Sequence, residues 1–145
     1  MPFVAVTRLH LRSVRFVPMF LVYTVRSARQ AQRAMGYGGG WGSNEWPLGF
    51  WTAACWADMA AMRAFRNGQP HLTAMRKLLH WCDEASFVHW EQDSSVLPDA
   101  AEAYRRLGAE GQLSKVAHPS DRHRAGETIG TAHPRTGGRL PPRAT

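Results

Sequence analysis

His71 is the histidine whose position in the sequence best suits chemistry. It follows Pro70 at the start of a predicted helix, just after an Asn67-Gly68 pair that ends the preceding one. The dipole at a helix start disfavours the imidazolium, so the ring should be neutral at pH 7, the form that accepts a proton or binds a metal. The alternative is a capping or surface residue. His71 is therefore a candidate catalytic group.

Tryptophan is frequent in this chain, with six among 145 residues. Four of the six lie between residues 50 and 90, and Trp41 precedes them in a glycine-rich stretch. Core packing is the first explanation for them, but aromatic walls around a hollow are also what an apolar ligand site requires. The candidate ligand contacts are four tryptophans and an arginine of the first strand: Trp41, Trp51, Trp56, Trp81 and Arg8.

The other titratable or metal-binding groups have simpler explanations. His89 alternates with apolar neighbours in a predicted strand, which is typical of a structural histidine, and the remaining histidines lack the spacing of metal ligands. Cys55 and Cys82 lie among apolar residues, which predicts buried free thiols and is consistent with a reducing cytoplasm. The acidic pair Asp83-Glu84 is explained by an exposed strand end.

The elements that position His71 follow from the pattern between residues 50 and 91. Bulky and β-branched residues favour a strand at 50–56, and Asp58 is a good N-cap for the helix that Gly68 ends. A second helix begins at Pro70 and runs to about residue 82, and β-forming residues predict a strand at 85–91.

The N-terminal half supplies three more elements. Residues 3–11 predict a strand, and Pro18 begins a helix that runs to about residue 35 and ends at Gly36. The apolar run 16–25 is too short for a transmembrane helix, which needs about 20 residues, so it predicts a core helix, with an amphipathic surface helix as the alternative. The glycine cluster at 36–42 lacks a phosphate-loop pattern and predicts a strand at 38–44, paired with the 50–56 strand as a hairpin.

Charge and composition divide the chain into two parts. The net charge is +7, and residues 115–145 carry 6 basic and 2 acidic residues of the total. Because that segment is rich in Pro and Gly and poor in large apolar residues, it predicts a disordered basic tail at 114–145, after a domain at 1–113 that ends with a short peripheral helix at 98–107. The tail lacks interleaved aromatic residues, so specific nucleic-acid binding is not expected.

The element order β-α-β-β-α-β, with the second helical region broken near Gly68, predicts an α+β ferredoxin-like fold with a four-stranded antiparallel sheet. Helices would cover one face of that sheet. The other face would be apolar and uncovered, so two copies are expected to pack sheet against sheet as a homodimer.

The stretch from Phe50 to Phe65, followed by Pro70-His71, resembles the dimeric α/β-barrel superfamily. That superfamily includes antibiotic-biosynthesis, haem-degrading and spheroidene monooxygenase-like proteins, and the chain is most similar to its small bacterial members. The resemblance covers about residues 2 to 93. It rests on a tryptophan that ends a strand, a capped helix, and a histidine that opens the next helix.

The resemblance implies an oxygenase-type function for a small apolar or aromatic substrate. Relatives that bind haem use a histidine at the position of His71, which implies haem as a candidate cofactor with His71 as its metal ligand and Trp51, Trp56 and Trp81 as pocket walls. Haem-degrading relatives carry an asparagine near the start of strand one, which this chain lacks. Cofactor-free relatives orient their substrates with Asn and Trp, which implies roles for Asn67 and Trp51. The alternative is a non-catalytic dimeric protein that binds a ligand or haem on the same fold.

Overall fold

An antiparallel sheet organises the computed structural model, which describes residues 1–135 and 137–143. The sheet has six strands in the order β5-β4-β1-β3-β2-β6. Its central four have the ferredoxin-like arrangement, which confirms the predicted fold, but the predicted strand number of four is wrong because two short strands pair with the edges. The strands are β1 (Phe3–Leu11), β2 (Tyr37–Glu45), β3 (Gly49–Trp56), β4 (Cys82–Glu91), β5 (Gln112–Leu113) and β6 (Gly138–Leu140).

The helices begin and end close to the predicted positions. The Asp58 carboxylate accepts a hydrogen bond from the Ala61 amide at 2.8 Å, which makes it the N-cap that the sequence predicted. The helices are α1 (Val17–Arg33), α2 (Met59–Asn67), α3 (His71–Trp81), α4 (Ala100–Glu110) and α5 (Asp121–Arg124), with a 3-10 turn at Val14–Phe16. Within the described ranges, no helix combines the length and apolar character needed to cross a membrane.

The register of the central strands sorts their side chains onto two faces. Thr7 lies opposite Thr52, and Arg8 lies opposite Trp51. Because side chains alternate along a strand, these two pairs point to opposite sides of the sheet. Thr7 and Thr52 lie on the side of α1, α2 and α3, which we call the helix face. Arg8 and Trp51 lie on the other side, which we call the far face.

The segment after Ser114 differs from its predicted disorder, because in the structure it returns to the sheet. Val116 is buried, β6 pairs with β2, and the Ser86 hydroxyl donates to the Thr128 carbonyl at 2.6 Å. The segment is too polar to form a core of its own, but it does not need one: it adds backbone hydrogen bonds and a few apolar side chains to the core of the sheet. Residues 136, 144 and 145 of the predicted tail lie outside the described residues.

Candidate functional site

A cavity of about 820 Å³ separates the helix face of the sheet from helices α1 and α3. Thr52 lies in a central strand yet is exposed, because the helices stand away from the sheet at this point. Leu21 of α1 and Met75 of α3 line the cavity and are also exposed to solvent, so its mouth lies between these two helices. A volume of this size suits a small organic molecule.

His71 lines this cavity at the first position of α3. Its ring packs on Phe65, with the ring centroids 4.5 Å apart, and its Nδ1 lies 3.2 Å from the Arg66 carbonyl oxygen. A carbonyl oxygen can only accept, so Nδ1 carries the proton in the neutral ring and Nε2 keeps its lone pair. No other hydrogen bond involves this ring within the described ranges. The ring thus presents a fixed, basic nitrogen.

Burial is a further cause of the neutral state of His71, beside the predicted helix dipole. Its backbone amide donates to the Gln30 side-chain oxygen at 3.0 Å. Burial lowers the pKa of the His71 ring, the Arg66 carbonyl opposes this, and the charge of Arg66 adds to the decrease, so the net pKa lies below 6.5. At pH 7 the ring is therefore ready to accept a proton.

His89 and Arg66 lie in the wall of the same cavity, and sequence reasoning missed both. His89 points to the helix face of β4, between Phe3 and Phe87 at centroid distances of 5.3 and 5.0 Å. Burial and the charge of Arg66 lower the pKa of His89. Arg66 forms no ion pair with any described acidic residue. An unpaired cation beside two neutral imidazoles favours an anionic group on a ligand.

The remaining wall is mainly aromatic and aliphatic. Trp56 packs on Phe65 at a centroid distance of 5.0 Å, and Trp81 meets the edge of Tyr23 at 5.9 Å. Burial raises the pKa of Tyr37 to about 12 while its hydroxyl donates to the Leu140 carbonyl, so Tyr37 does not act as an acid or base at neutral pH. Two of the predicted ligand contacts, Trp56 and Trp81, thus lie in the same wall as His71.

Ser27 of α1 also faces this cavity, and its buried hydroxyl has no hydrogen-bond partner among the residues that the structure describes. Such a hydroxyl is costly, and Ala is also the better helix former. We expect Ser27→Ala to leave the free energy of unfolding unchanged or to raise it by up to about 1 kcal/mol. Urea denaturation measures this. Ser86→Ala is the contrast: Ser86 is equally small, but its hydroxyl is bonded, so a loss of about 1 kcal/mol is expected there.

Three predicted ligand contacts, Arg8, Trp41 and Trp51, place their side chains on the far face. Trp41 and Trp51 are among the residues that line the cavity, but their side chains pack in the far-face core with Ala103 and Leu107, so it is their backbone that borders the cavity. The Arg8 guanidinium bonds Glu45 at 2.5 Å and Glu84 at 2.8 Å, and all three side chains are buried. The Trp51 indole donates to Glu45 at 2.9 Å, and the Trp41 indole donates to a backbone carbonyl at 2.8 Å. The sequence does not reveal this outcome, because which face of a strand meets the helices is decided by packing.

The other predicted groups are also placed by the structure. Asn67 is exposed at the end of α2 and does not line the cavity. Cys55 and Cys82 are buried free thiols, as the sequence predicted, and burial raises the pKa of both, that of Cys82 to about 12. They are therefore poor nucleophiles. Asn67 is therefore not placed to orient a substrate in the cavity, which is the role that the resemblance implied.

A group of three potential metal ligands, His10, Asp83 and Glu84, lies at the far face. Their ligand atoms fall within 4.8 Å of one another. His10 Nδ1 already bonds Asp83 at 2.7 Å, and the two Glu84 oxygens bond Arg8 and Ser120. These ligand atoms already bond to protein groups, and the buried Arg8 guanidinium beside them repels a cation.

Comparison with known proteins gives matches in structure only. No family model and no curated protein matches the sequence. A variant of SnoaB, a cofactor-independent oxygenase from Streptomyces nogalater, is similar at 15% identity with a TM-score of 0.54, over 66% of this chain and 96% of that one. A candidate antibiotic biosynthesis monooxygenase from Nitrosomonas europaea is similar at 15% identity with a TM-score of 0.57, over 63% and 90%.

A conserved protein from Methanosarcina mazei Go1 is also similar, at 11% identity with a TM-score of 0.57, over 64% of this chain and 94% of that one. At identities this low, the likeness shows a shared fold. The neighbours are matched over nearly their whole length by about two thirds of this chain. About a third of this chain therefore lies outside that shared fold.

Proposed function

We propose that the cavity binds a small aromatic molecule and that the protein acts on it as an oxygenase-type enzyme without a bound cofactor. The observation that carries this proposal is the His71 ring, held by its Nδ1 bond with a free Nε2 in an aromatic-walled cavity. The fold is shared with a cofactor-independent oxygenase, which supports the proposal at the level of the fold.

The ligand chemistry follows from the wall. Apolar and aromatic side chains fit a flat hydrophobic body, and Arg66 fits a negative charge at its edge. A phenol or an activated methylene between aromatic rings has both properties, because it becomes anionic when it loses a proton. The cavity therefore suits an electron-rich aromatic with an acidic hydrogen.

In the proposed reaction, His71 Nε2 takes that acidic proton and Arg66 stabilises the resulting anion. The anion is electron-rich and gives electrons to O2, the oxidant that the reaction consumes. A carbon–oxygen bond forms and the oxygen–oxygen bond breaks. The second oxygen leaves as water with the proton from His71 and the hydrogen that remained on the reacting carbon. For a methylene the balance is CH2 plus O2 giving C=O plus H2O.

Haem is the second candidate ligand, because a fixed neutral imidazole with a free Nε2 could also hold haem iron. His71 would hold the iron, and Arg66 would face a propionate. Bound haem would supply redox chemistry at iron. If the Soret band of haemin shifts on mixing with the wild-type protein but not on mixing with His71→Asn, haem is favoured over the cofactor-free reaction.

The test of the main proposal uses 1-naphthol as the probe. We expect saturable quenching of tryptophan fluorescence from Trp56 and Trp81, and oxygen uptake above the rate without protein. Ala74 lines the cavity and Ala60 is exposed on α2, so Ala74→Phe should abolish binding while Ala60→Phe should not. Binding without oxygen uptake across a panel of phenols would support the alternative of a non-catalytic ligand-binding protein.

A further inference from the structure

The far face of the sheet is covered by the chain's own C-terminal third. Residues 96–135 and 137–140, which we call the cover segment, place α4 on the far face, with Ala103 and Leu107 fully buried there. Leu97, Tyr104 and Ile129 pack against the same cluster. The sheet contributes seven residues to that cluster: Val4, Val6, Trp41, Trp51, Ala53, Cys55 and Val88.

Polar contacts fix the cover segment at several points. The Trp41 indole donates to the Pro98 carbonyl at 2.8 Å, and the Ser120 hydroxyl donates to Glu84 at 3.0 Å. Within the segment, the Tyr104 hydroxyl donates to the Gly130 carbonyl at 2.8 Å. These contacts satisfy donors and acceptors that burial of the face would otherwise leave unpaired.

Gly130 shows how closely the segment lies over the buried ion pairs. A Cβ at this position would stand 2.8 Å from a Glu45 carboxylate oxygen and 2.9 Å from an Arg8 nitrogen. The backbone therefore excludes water from the charged cluster, and only a residue without a side chain fits there. At the other end, a Cβ on Gly108 would meet Ile129 at 2.9 Å, so α4 and the chain beyond it are also packed together.

We propose that the cover segment takes the place of a second subunit. The sequence predicted a sheet-to-sheet homodimer because an apolar far face with tryptophans cannot remain in water. In the structure the far face does not remain in water, since Trp51 is 0% and Trp41 8% exposed in a single chain. The chain is thus monomeric through this face, and a second copy occupies it only when the cover segment is displaced.

The length of the chain agrees with this assignment. The solved structures that share the fold match about two thirds of this chain, and the ferredoxin-like unit from β1 to β4 ends at Glu91. The cover segment begins a few residues later. Because the cover segment already buries the far face, this chain completes its core without a second copy. Two chains without such a segment would bury their apolar far faces against each other.

The test compares two variants of the full chain that make the same change on α4. Ala103 is 0% exposed and Ala109 is exposed on the same helix. Ala103→Asp places an unpaired carboxylate in the cluster and should lift α4, whereas Ala109→Asp should change nothing. In sedimentation equilibrium, the wild type and Ala109→Asp should give the monomer mass of 16.2 kDa, and Ala103→Asp should give twice that mass.

A wild-type chain that sediments as a dimer would overturn the proposal, and so would an Ala103→Asp variant that remains a folded monomer. If Ala103→Asp does not fold, Leu107→Ala is the milder change. Hydrogen exchange of Leu107→Ala should then be faster in α4 and unchanged in β1, because the cover segment opens separately from the sheet. Equal acceleration in both elements would overturn the proposal by showing one cooperative unit.

Discussion

Replacing His71 with Asn is expected to lower kcat/KM for an aromatic substrate by about 100-fold to 10,000-fold, the usual contribution of a general base. Asn keeps a donor near the position of Nδ1, so the bond to the Arg66 carbonyl survives while the basic Nε2 is lost. His80→Asn is the matched control, because His80 lies on the same helix and is exposed. Steady-state oxygen uptake measures both variants.

The pH dependence of the same reaction gives a second readout. Because the pKa of His71 lies below 6.5, the ring stays neutral as pH falls to 6.5, and kcat/KM should decline only below that value. The decline should be present in His80→Asn and absent from the residual activity of His71→Asn. Equal activity of His71→Asn and the wild type would show that His71 is not the base.

Replacing Arg8 with Met is expected to lower the free energy of unfolding by about 3 to 5 kcal/mol at pH 7, because it leaves buried carboxylates without their cation. Burial acts to raise the pKa of Glu84, but its bond with Arg8 and the Arg8 charge outweigh burial and hold that pKa below 4.5. Arg105→Met, on the exposed side of α4, is the control and should change stability by less than about 0.5 kcal/mol.

The sign of the pH effect identifies the cause. In the wild type, the lowered pKa of Glu84 contributes stability that is present above pH 4.5 and is lost as pH falls through the folded value. Without Arg8, burial raises the carboxylate pKa, so the variant gains stability on protonation. The difference in free energy between wild type and Arg8→Met should therefore shrink between pH 7 and pH 4.5. If the difference in free energy does not change with pH, the loss of stability in Arg8→Met comes from packing. If Arg8→Met instead weakens ligand binding and leaves stability unchanged, Arg8 belongs to the ligand site.

The sequence by itself determined the order of the elements from β1 to α4 and the ferredoxin-like fold. Strand and helix patterns act locally: side-chain alternation marks β1, Asp58 caps α2, and Pro70 precedes α3, so each is visible in a few neighbouring residues. The position of His71 at a helix start is local in the same way. The predicted apolar character of the far face agrees with the structure, since Trp41 and Trp51 are buried there.

Only the tertiary structure decided which side of the sheet each strand residue occupies and what covers it. Arg8 and Trp51 looked like ligand contacts, but the register pairs them on the far face. There Glu45 and Glu84 bind Arg8 from 37 and 76 residues away along the chain. His89 reaches the cavity because it lies on the helix face of β4, and Arg66 reaches it from α2, which lies over the same face. The cover segment is too polar to predict as folded, because its order comes from a surface that the distant strands build.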